Sequence, residues 1–322
     1  MPLLRRSNSS EPGIQRIRSG QGFRYRDATG AAVADPELRA RIERLAIPPA
    51  WTEVWIAPYP NGHIQATGVD AAGRRQYLYH PVWRAQKDRR KFDRMLALAE
   101  ALPAARRQVT RDLRSDGLSR ERVLAGAFRL LDAGALRVGS ERYVDDNGSY
   151  GLSTLLGAHA TVQGAVVRLR FPAKSGHAWS SELEDPDLAT LVAALKRRGQ
   201  RARLLAWSDA RGPHPVTATD INLDLRRRTG GEFSAKDFRT LAGTVAAALS
   251  LARTGPKPTD RERRRAIVEA VQVASTTLEN TPAIARSSYI DPRLFDRYRH
   301  GETIDARRPG SAETQLRALL FE

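Results

Sequence analysis

Apolar and polar residues alternate over the first quarter of the chain and then switch to a helical spacing. "GFRYRDATGAAV" (Gly22–Val33) alternates on either side of a Gly turn, the pattern of a β-hairpin. "DPELRARIERLAI" follows, with Asp35 placed as N-cap and Pro36 at the first helical position. Then come "WTEVWIA", a Pro-Asn-Gly turn at Pro60–Gly62, "HIQATGVD", a second Gly turn and "RQYLYHP". These read as a twisted antiparallel meander. The polar dozen residues at the start are expected to be mobile. Helical periodicity dominates from Trp83, so a domain boundary is expected between Val82 and Arg90. It is drawn here as a unit over residues 1–88 and a unit over 89–322.

The second region is mostly helical, and "SRERVLAGAFRLLDAG" reads as a helix closed by Gly134. One β island, "HATVQGAVVRLRFPAKSGHAWSSEL", interrupts it. There Val167, Leu169 and Phe171 alternate with Val166, Arg168 and Arg170, while Gly164 and Gly176 mark turns. Three short antiparallel strands result, with Lys174 on the second turn. In "FSAKDFRTLAGTVAAALSLARTG", Ser234 is the N-cap, Asp237 completes the cap, and Phe233 and Phe238 form a hydrophobic staple. Arg239 therefore lies near that helix's N-terminus. "TDRERRRAIVEAVQVASTTLEN" opens with a Thr259/Glu262 capping box, and Thr281 and Pro282 start a short helix that reaches Tyr289. The fold class is α+β in two domains. A small, β-rich antiparallel domain precedes a larger, mainly helical one that contains a three-stranded antiparallel sheet.

Composition then narrows the partners. The 322 residues suffice for one large domain and a smaller one, and a hydrophobic content of 41% supports real cores. Lys+Arg number 53 against 36 for Asp+Glu, a net charge of +17. Self-repulsion of that size is most simply explained by a polyanionic partner. The cations are spread through folded-looking segments, which favours nucleic acid over a membrane surface. An Arg-rich codon bias with no partner is the bland alternative. Lysines are scarce: Lys87, Lys91, Lys174, Lys196, Lys236 and Lys257. The absence of cysteine excludes a thiol nucleophile, a disulfide framework and Cys-based zinc sites. The six histidines lack ligand spacing, so no protein metal cage is expected. "MPLLRRSNSSEPG" has no apolar run of a secretory signal and no stretch approaches a membrane span, so a cytosolic location is expected.

Four residues on different elements stand apart: Arg137 in "GALRVGSERY", Lys174 on its hairpin turn, Arg239 in "KDFRTLAGT", and Tyr289 before an Ile-Asp-Pro break. Alone, each is ordinary. Arginines and turn lysines are usually solvated, and a tyrosine at a helix end is usually packing. Together they meet the needs of attack on a DNA phosphodiester. The tyrosine oxygen is the nucleophile, and two guanidiniums hold the non-bridging oxygens. A lysine ammonium protonates the departing sugar oxygen, which contributes on the order of 10²–10⁴ in rate. Arginines supply the positive charge, so no metal is required.

The order "LRVGSERY", "PAKSG", "DFRTLAGT", "NTPAIARSSYIDP" closely resembles the type IB DNA topoisomerases of the bacterial, poxvirus-like group. "VWIAPYPNGHIQATGVDAAGRRQYLYHPVW" resembles that family's β-rich DNA-clamping domain, so the likeness runs from about Ile17 to the end. It implies that Tyr289 forms a 3′-phosphotyrosyl link, that Arg137 and Arg239 clamp the phosphate, and that Lys174 is the general acid toward the 5′-oxygen. Asn280 stands where many members have a histidine; it can donate a hydrogen bond to a phosphate oxygen but carries no charge. Leu241 stands where a tryptophan is expected, and reads as packing. Gln65, Arg74, Arg75, Tyr77 and Tyr79 lie on or beside meander strands, the kind of surface that enters a major groove. Tyr77 and Tyr79 share one face, which fits DNA contact or simple core packing. Arg142 and Tyr143 are further candidate phosphate contacts.

The implied activity is relaxation of supercoiled duplex DNA by nicking, rotation and resealing, without ATP, metal or other cofactor, by a monomer that closes around double-stranded DNA. Two alternatives remain. A tyrosine recombinase uses similar chemistry, although Lys236 occupies the place where recombinases usually have a histidine and the β-rich N-terminal region differs from theirs. A non-catalytic DNA binder explains the charge and leaves the constellation as coincidence.

Overall fold

The computed structural model describes residues 3–321. They form two compact units, divided between Arg90 and Lys91.

The first unit is built on β1 (Ile14–Ser19), β2 (Gly22–Arg26), α1 (Pro36–Arg44), β3 (Thr52–Ile56), β4 (Ile64–Val69) and β5 (Arg75–Tyr79). The strands make one sheet in the order β2-β1-β3-β4-β5, antiparallel at each pairing. The first hairpin therefore lies upstream of the expected one. β1 pairs with β2 around Gly20, whose positive φ of 59° suits glycine. Only a single bridge, Arg26 to Ala32, remains of the expected return strand. The start of the chain is also tied down. Arg5 bridges to Gly62, the Ser7 N–H donates to His63 Nδ1 at 2.9 Å, and Ser7 Oγ donates to the Ile64 carbonyl at 2.9 Å. Residues 1 and 2 lie outside the described ones. α1 opens as expected, with Asp35 accepting the Glu37 N–H and Pro36 in the first turn. Its Ile42 packs with Ile14, Val54, Ile56 and Ala66 as the core of this unit.

α2 (Pro81–Leu113) contains the division between the units and buries Leu96, Leu98 and Leu102 in the second. Next come α3 (Arg120–Gly134) and α4 (Glu141–Asn147). α3 ends one residue later than expected. Gly134 is still helical, and Ala135 takes the left-handed turn with φ 49° while its N–H returns to the Leu131 carbonyl. β6 (Ala160–Gln163), β7 (Val166–Pro172) and β8 (Ala178–Glu184) form the three-stranded antiparallel sheet, and Lys174 sits in the turn between β7 and β8. After α5 (Pro186–Lys196) comes an unexpected hairpin of β9 (Ala206–Asp209) and β10 (Gly212–Pro215). The remaining helices are α6 (Ala218–Thr229), α7 (Ala235–Thr254), α8 (Asp260–Leu278), α9 (Pro282–Ser288), α10 (Pro292–Arg299) and α11 (Ala312–Phe321). α7 starts as expected: Asp237 accepts from the Ser234 N–H and hydroxyl at 2.9 Å each, and Phe233 and Phe238 are buried. The Thr259/Glu262 box opens α8. No helix among the described residues is long and apolar enough to cross a membrane.

Candidate active site

α7 lies at the centre of the site, and its buried face carries Arg239, which is 2% exposed. A cation so deep must have its donors met by the protein. Arg239 Nη1 donates to the Ala135 carbonyl, presented by the left-handed turn that ends α3, and Nη2 donates to the Leu278 carbonyl at 2.8 Å. Nε is buried and makes no hydrogen bond among the described residues. The guanidinium carbon is 5.1 Å from the centroid of the Tyr289 ring, within cation–π range.

The same turn after α3 delivers Arg137. Its approach is set by two glycines whose backbones touch: a Cβ on Gly151 would lie 2.5 Å from the Gly139 Cα. Arg137 Nη2 donates to Asn280 Oδ1 at 2.7 Å. The other end of that amide, Nδ2, is buried and likewise makes no hydrogen bond. Asn280 is held by its N–H on the Ser275 carbonyl at 3.0 Å and by the Ser275 hydroxyl on its own carbonyl at 2.6 Å.

Tyr289 caps the C-terminus of α9, with its N–H on the Ala285 carbonyl at 2.9 Å. α7 holds it from behind. The Thr244 hydroxyl accepts the Asp291 N–H at 3.2 Å and reaches the carbonyl oxygens of Thr240 (2.8 Å) and Tyr289 (3.2 Å). Next to it, a Cβ on Gly243 would meet the Tyr289 carbonyl oxygen at 2.8 Å and the Tyr289 Cβ at 3.2 Å, so only glycine allows this approach. Burial pushes the Tyr289 phenol up, but the charges of Arg239, Arg137 and Lys236 outweigh it and leave the group below its ordinary value. Burial pushes Arg239 down, and the charge of Arg137 acts in the same direction.

A cavity of about 320 Å³ opens over these groups, lined by Arg137, Lys174, Arg239 and Tyr289, with Tyr143 and Lys236. Four of the five expected catalytic residues thus share one cavity, and Asn280 stands behind it on Arg137. Lys174 is exposed on the wall, where the Ala173 N–H donates to the His177 carbonyl at 2.7 Å and closes the hairpin. Lys236 was missing from the expected set. Its signal was its scarcity and its place one helical turn before Arg239, so both reach the same cavity. Of the two candidates on α4, Tyr143 lines the cavity, whereas Arg142 pairs with Asp146 at 3.3 Å.

The first unit holds the other candidates. β5 alternates, so Arg75, Tyr77 and Tyr79 are exposed while Gln76 and Leu78 turn inward. The two tyrosines stack with centroids 6.0 Å apart and planes 12° apart, and with 42% of each exposed neither belongs to the core. Arg74 pairs with Asp70 at 2.9 Å, and Arg75 lies 3.6 Å from Glu53. Gln65, by contrast, is 4% exposed and not on an open face: its amide nitrogen donates to the Pro60 and Gly62 carbonyls at 2.9 and 2.7 Å. It holds the turn before β4.

With this geometry in view, residues 80–302 match the family described as eukaryotic DNA topoisomerase I, catalytic core, and residues 22–70 match bacterial DNA topoisomerase IB, N-terminal domain. The chain is 28% identical over 310 residues to a DNA topoisomerase 1B of Acanthamoeba polyphaga mimivirus, covering 91% of this chain and 92% of that protein. It is 27% identical over 230 residues to a DNA topoisomerase 1 of Mycosarcoma maydis, covering 62% of this chain and 22% of that one.

Proposed function

The chain belongs to the type IB DNA topoisomerases, and on that premise we propose that it relaxes supercoiled duplex DNA through a covalent bond to Tyr289. The Tyr289 oxygen attacks phosphorus and loses its proton to solvent. The bond from phosphorus to the 5′-oxygen breaks, and Lys174 gives that oxygen a proton. The 3′-phosphotyrosyl linkage keeps the energy of the broken ester, so after the free end swivels the 5′-hydroxyl reverses the step, with neither ATP nor metal. Arg137, Arg239 and Asn280 hold the non-bridging oxygens.

One observation carries this reading. Arg239 Nε is a buried donor with no partner among the described residues, its guanidinium carbon is 5.1 Å from the ring of a tyrosine whose phenol is made more acidic, and both residues line one cavity with Arg137 and Lys174. A tetrahedral oxyanion is the chemistry that answers such a donor among cations. Lys236 adds a further cation at the same cavity.

Residues 1–88 act as a DNA-clamping domain through the Tyr77/Tyr79 face with Arg74 and Arg75, and residues 89–322 as the catalytic domain, in a monomer that works on chromosomal DNA in the cytoplasm. The test is relaxation of plasmids of either supercoil sign in EDTA without nucleotide. A ladder of relaxed topoisomers is expected from both. Failure on both, or relaxation that needs ATP, overturns the proposal.

A further inference from the structure

β8 is the edge strand of the sheet that carries Lys174, so one row of its backbone N–H groups has no strand beside it. One of them is taken by a side chain from far along the sequence: the Ser180 N–H donates to Glu279 Oε1 at 3.0 Å. Glu279 stands between Leu278, whose carbonyl holds Arg239, and Asn280, whose Oδ1 holds Arg137. One carboxylate therefore joins the strand leaving Lys174 to the turn that holds both arginines.

That carboxylate is kept in an unfavourable place. Glu279 is the C-cap of α8 in the left-handed conformation, φ 46° and ψ 57°, where glycine is the usual occupant. Its second oxygen, Oε2, is buried with no hydrogen-bond partner among the described residues. Neither feature favours stability, and backbone strain of this kind gathers at functional sites.

We infer that Glu279 is a positioning residue, which fastens the Lys174 hairpin to the Leu278–Asn280 turn and so sets the proton donor against the phosphate clamps. The inference rests on the reading of Lys174 as donor to the 5′-oxygen.

The experiment is single-turnover cleavage of duplexes with oxygen or sulfur at the bridging 5′ position, using Lys174→Ala, Glu279→Gly, Glu279→Gln and the double variant Lys174→Ala/Glu279→Gly. Glycine accepts the left-handed turn, so Glu279→Gly should fold with a thermal midpoint within about 2 °C of the parent. It should nonetheless cleave the oxygen substrate about tenfold or more slowly, because the hairpin is released. On sulfur, whose thiolate leaves with little protonation, Lys174→Ala and Glu279→Gly should both recover. Glu279→Gln keeps an acceptor for the Ser180 N–H and should cleave near the parent rate. The double variant should be no slower than Lys174→Ala alone.

A parent-like rate for Glu279→Gly overturns the inference. So does a Glu279→Gln variant as slow as Glu279→Gly, which would make the charge, and not the tether, the active feature. If Lys174→Ala recovers on sulfur and Glu279→Gly does not, Glu279 acts through the arginines and the inference falls. If Lys174→Ala itself fails to recover, the acid role falls. The double variant then decides the tether alone: additive defects overturn it, and a defect equal to Lys174→Ala supports it.

Discussion

Tyr77 and Tyr79 stack on β5 with 42% of each exposed, whereas Arg239 on α7 is 2% exposed and holds two backbone carbonyls. The first unit displays its candidate contacts on an open strand face. The second builds its site inward, so that its two arginines are also structural braces. A displayed residue is free to adapt to a varied duplex. A buried one presents the same donors before and after substrate arrives, which is where preorganisation gives rate. Substitutions in the two units should therefore fail differently.

The largest effect is expected from Tyr289→Phe, which removes one oxygen and leaves the packing under α7 intact. Covalent adduct and relaxation should vanish while duplex affinity stays within about twofold. A denaturant-resistant DNA adduct on this variant would refute the assignment. Arg239→Ala should come next, with single-turnover cleavage down by about 10²–10³. It should also lower the thermal midpoint, since the Ala135 and Leu278 carbonyls lose their donor. Arg239→Lys should restore little, because an ammonium cannot span both carbonyls and still offer a donor to the cavity. Full activity in Arg239→Lys would reduce the residue to a point charge.

Smaller and of another kind is the response to Tyr77→Ala or Tyr79→Ala. Each should weaken duplex binding by up to about tenfold and leave cleavage at saturating DNA unchanged. The pair should lose less than the sum of the two, because each tyrosine supports the other's stack. An effect on the saturated cleavage rate would erase the distinction between the units. Arg74→Ala and Arg75→Ala should each lower the log–log salt slope of binding by about 0.9 if they meet phosphates, and leave it unchanged if they serve only Asp70 and Glu53.

The smallest effect is at acid pH in the first unit. Hydrogen bonds from the Arg74 backbone and side chain, with Gln76 and the Ala72 N–H, hold Asp70 at about 2. A carboxylate depressed in the folded state contributes stability above its unfolded value near 3.9, and loses it as pH falls from about 4 toward 2. Asp70→Asn should remove that part of the acid sensitivity and lower stability at neutral pH. A melting profile unchanged between pH 5 and 2.5 would show that Asp70 contributes nothing.

The four candidate residues that share the cavity were legible in the sequence because the expected reaction restricts their type and their elements carry plain punctuation: Ser234 before α7, Thr281 and Pro282 before α9, Gly176 in the hairpin. What the meander pattern did not reveal was that Gln65 is buried. β4 is interior to its sheet and four consecutive residues from Gln65 to Gly68 are buried, so alternation carries no information there. The β9–β10 hairpin was missed for a different reason. Pro213 and Pro215 argue against a strand, yet β10 pairs on one side only, where a missing N–H costs little. Ala135 hid behind Gly134, since the glycine looked like the stop and the alanine took the left-handed turn.

The contact between Gly243, Thr244 and Tyr289 has a mechanical side. In the proposed reaction the 5′-hydroxyl end swivels while one phosphotyrosyl bond holds the 3′ side of the nick, and the torque passed along the intact strand loads the Tyr289 ring and its backbone. There the load meets a carbonyl and an N–H, on Tyr289 and Asp291, both seated on the Thr244 hydroxyl and backed by the bare surface of Gly243. α7 then works as an anchor beam of twenty residues, tied at its N-terminal end by Asp237 to Arg94 of α2 at 2.7 Å. Held this way, the phosphotyrosine stays beside Arg239 under torque, and the broken strand remains in reach of rejoining.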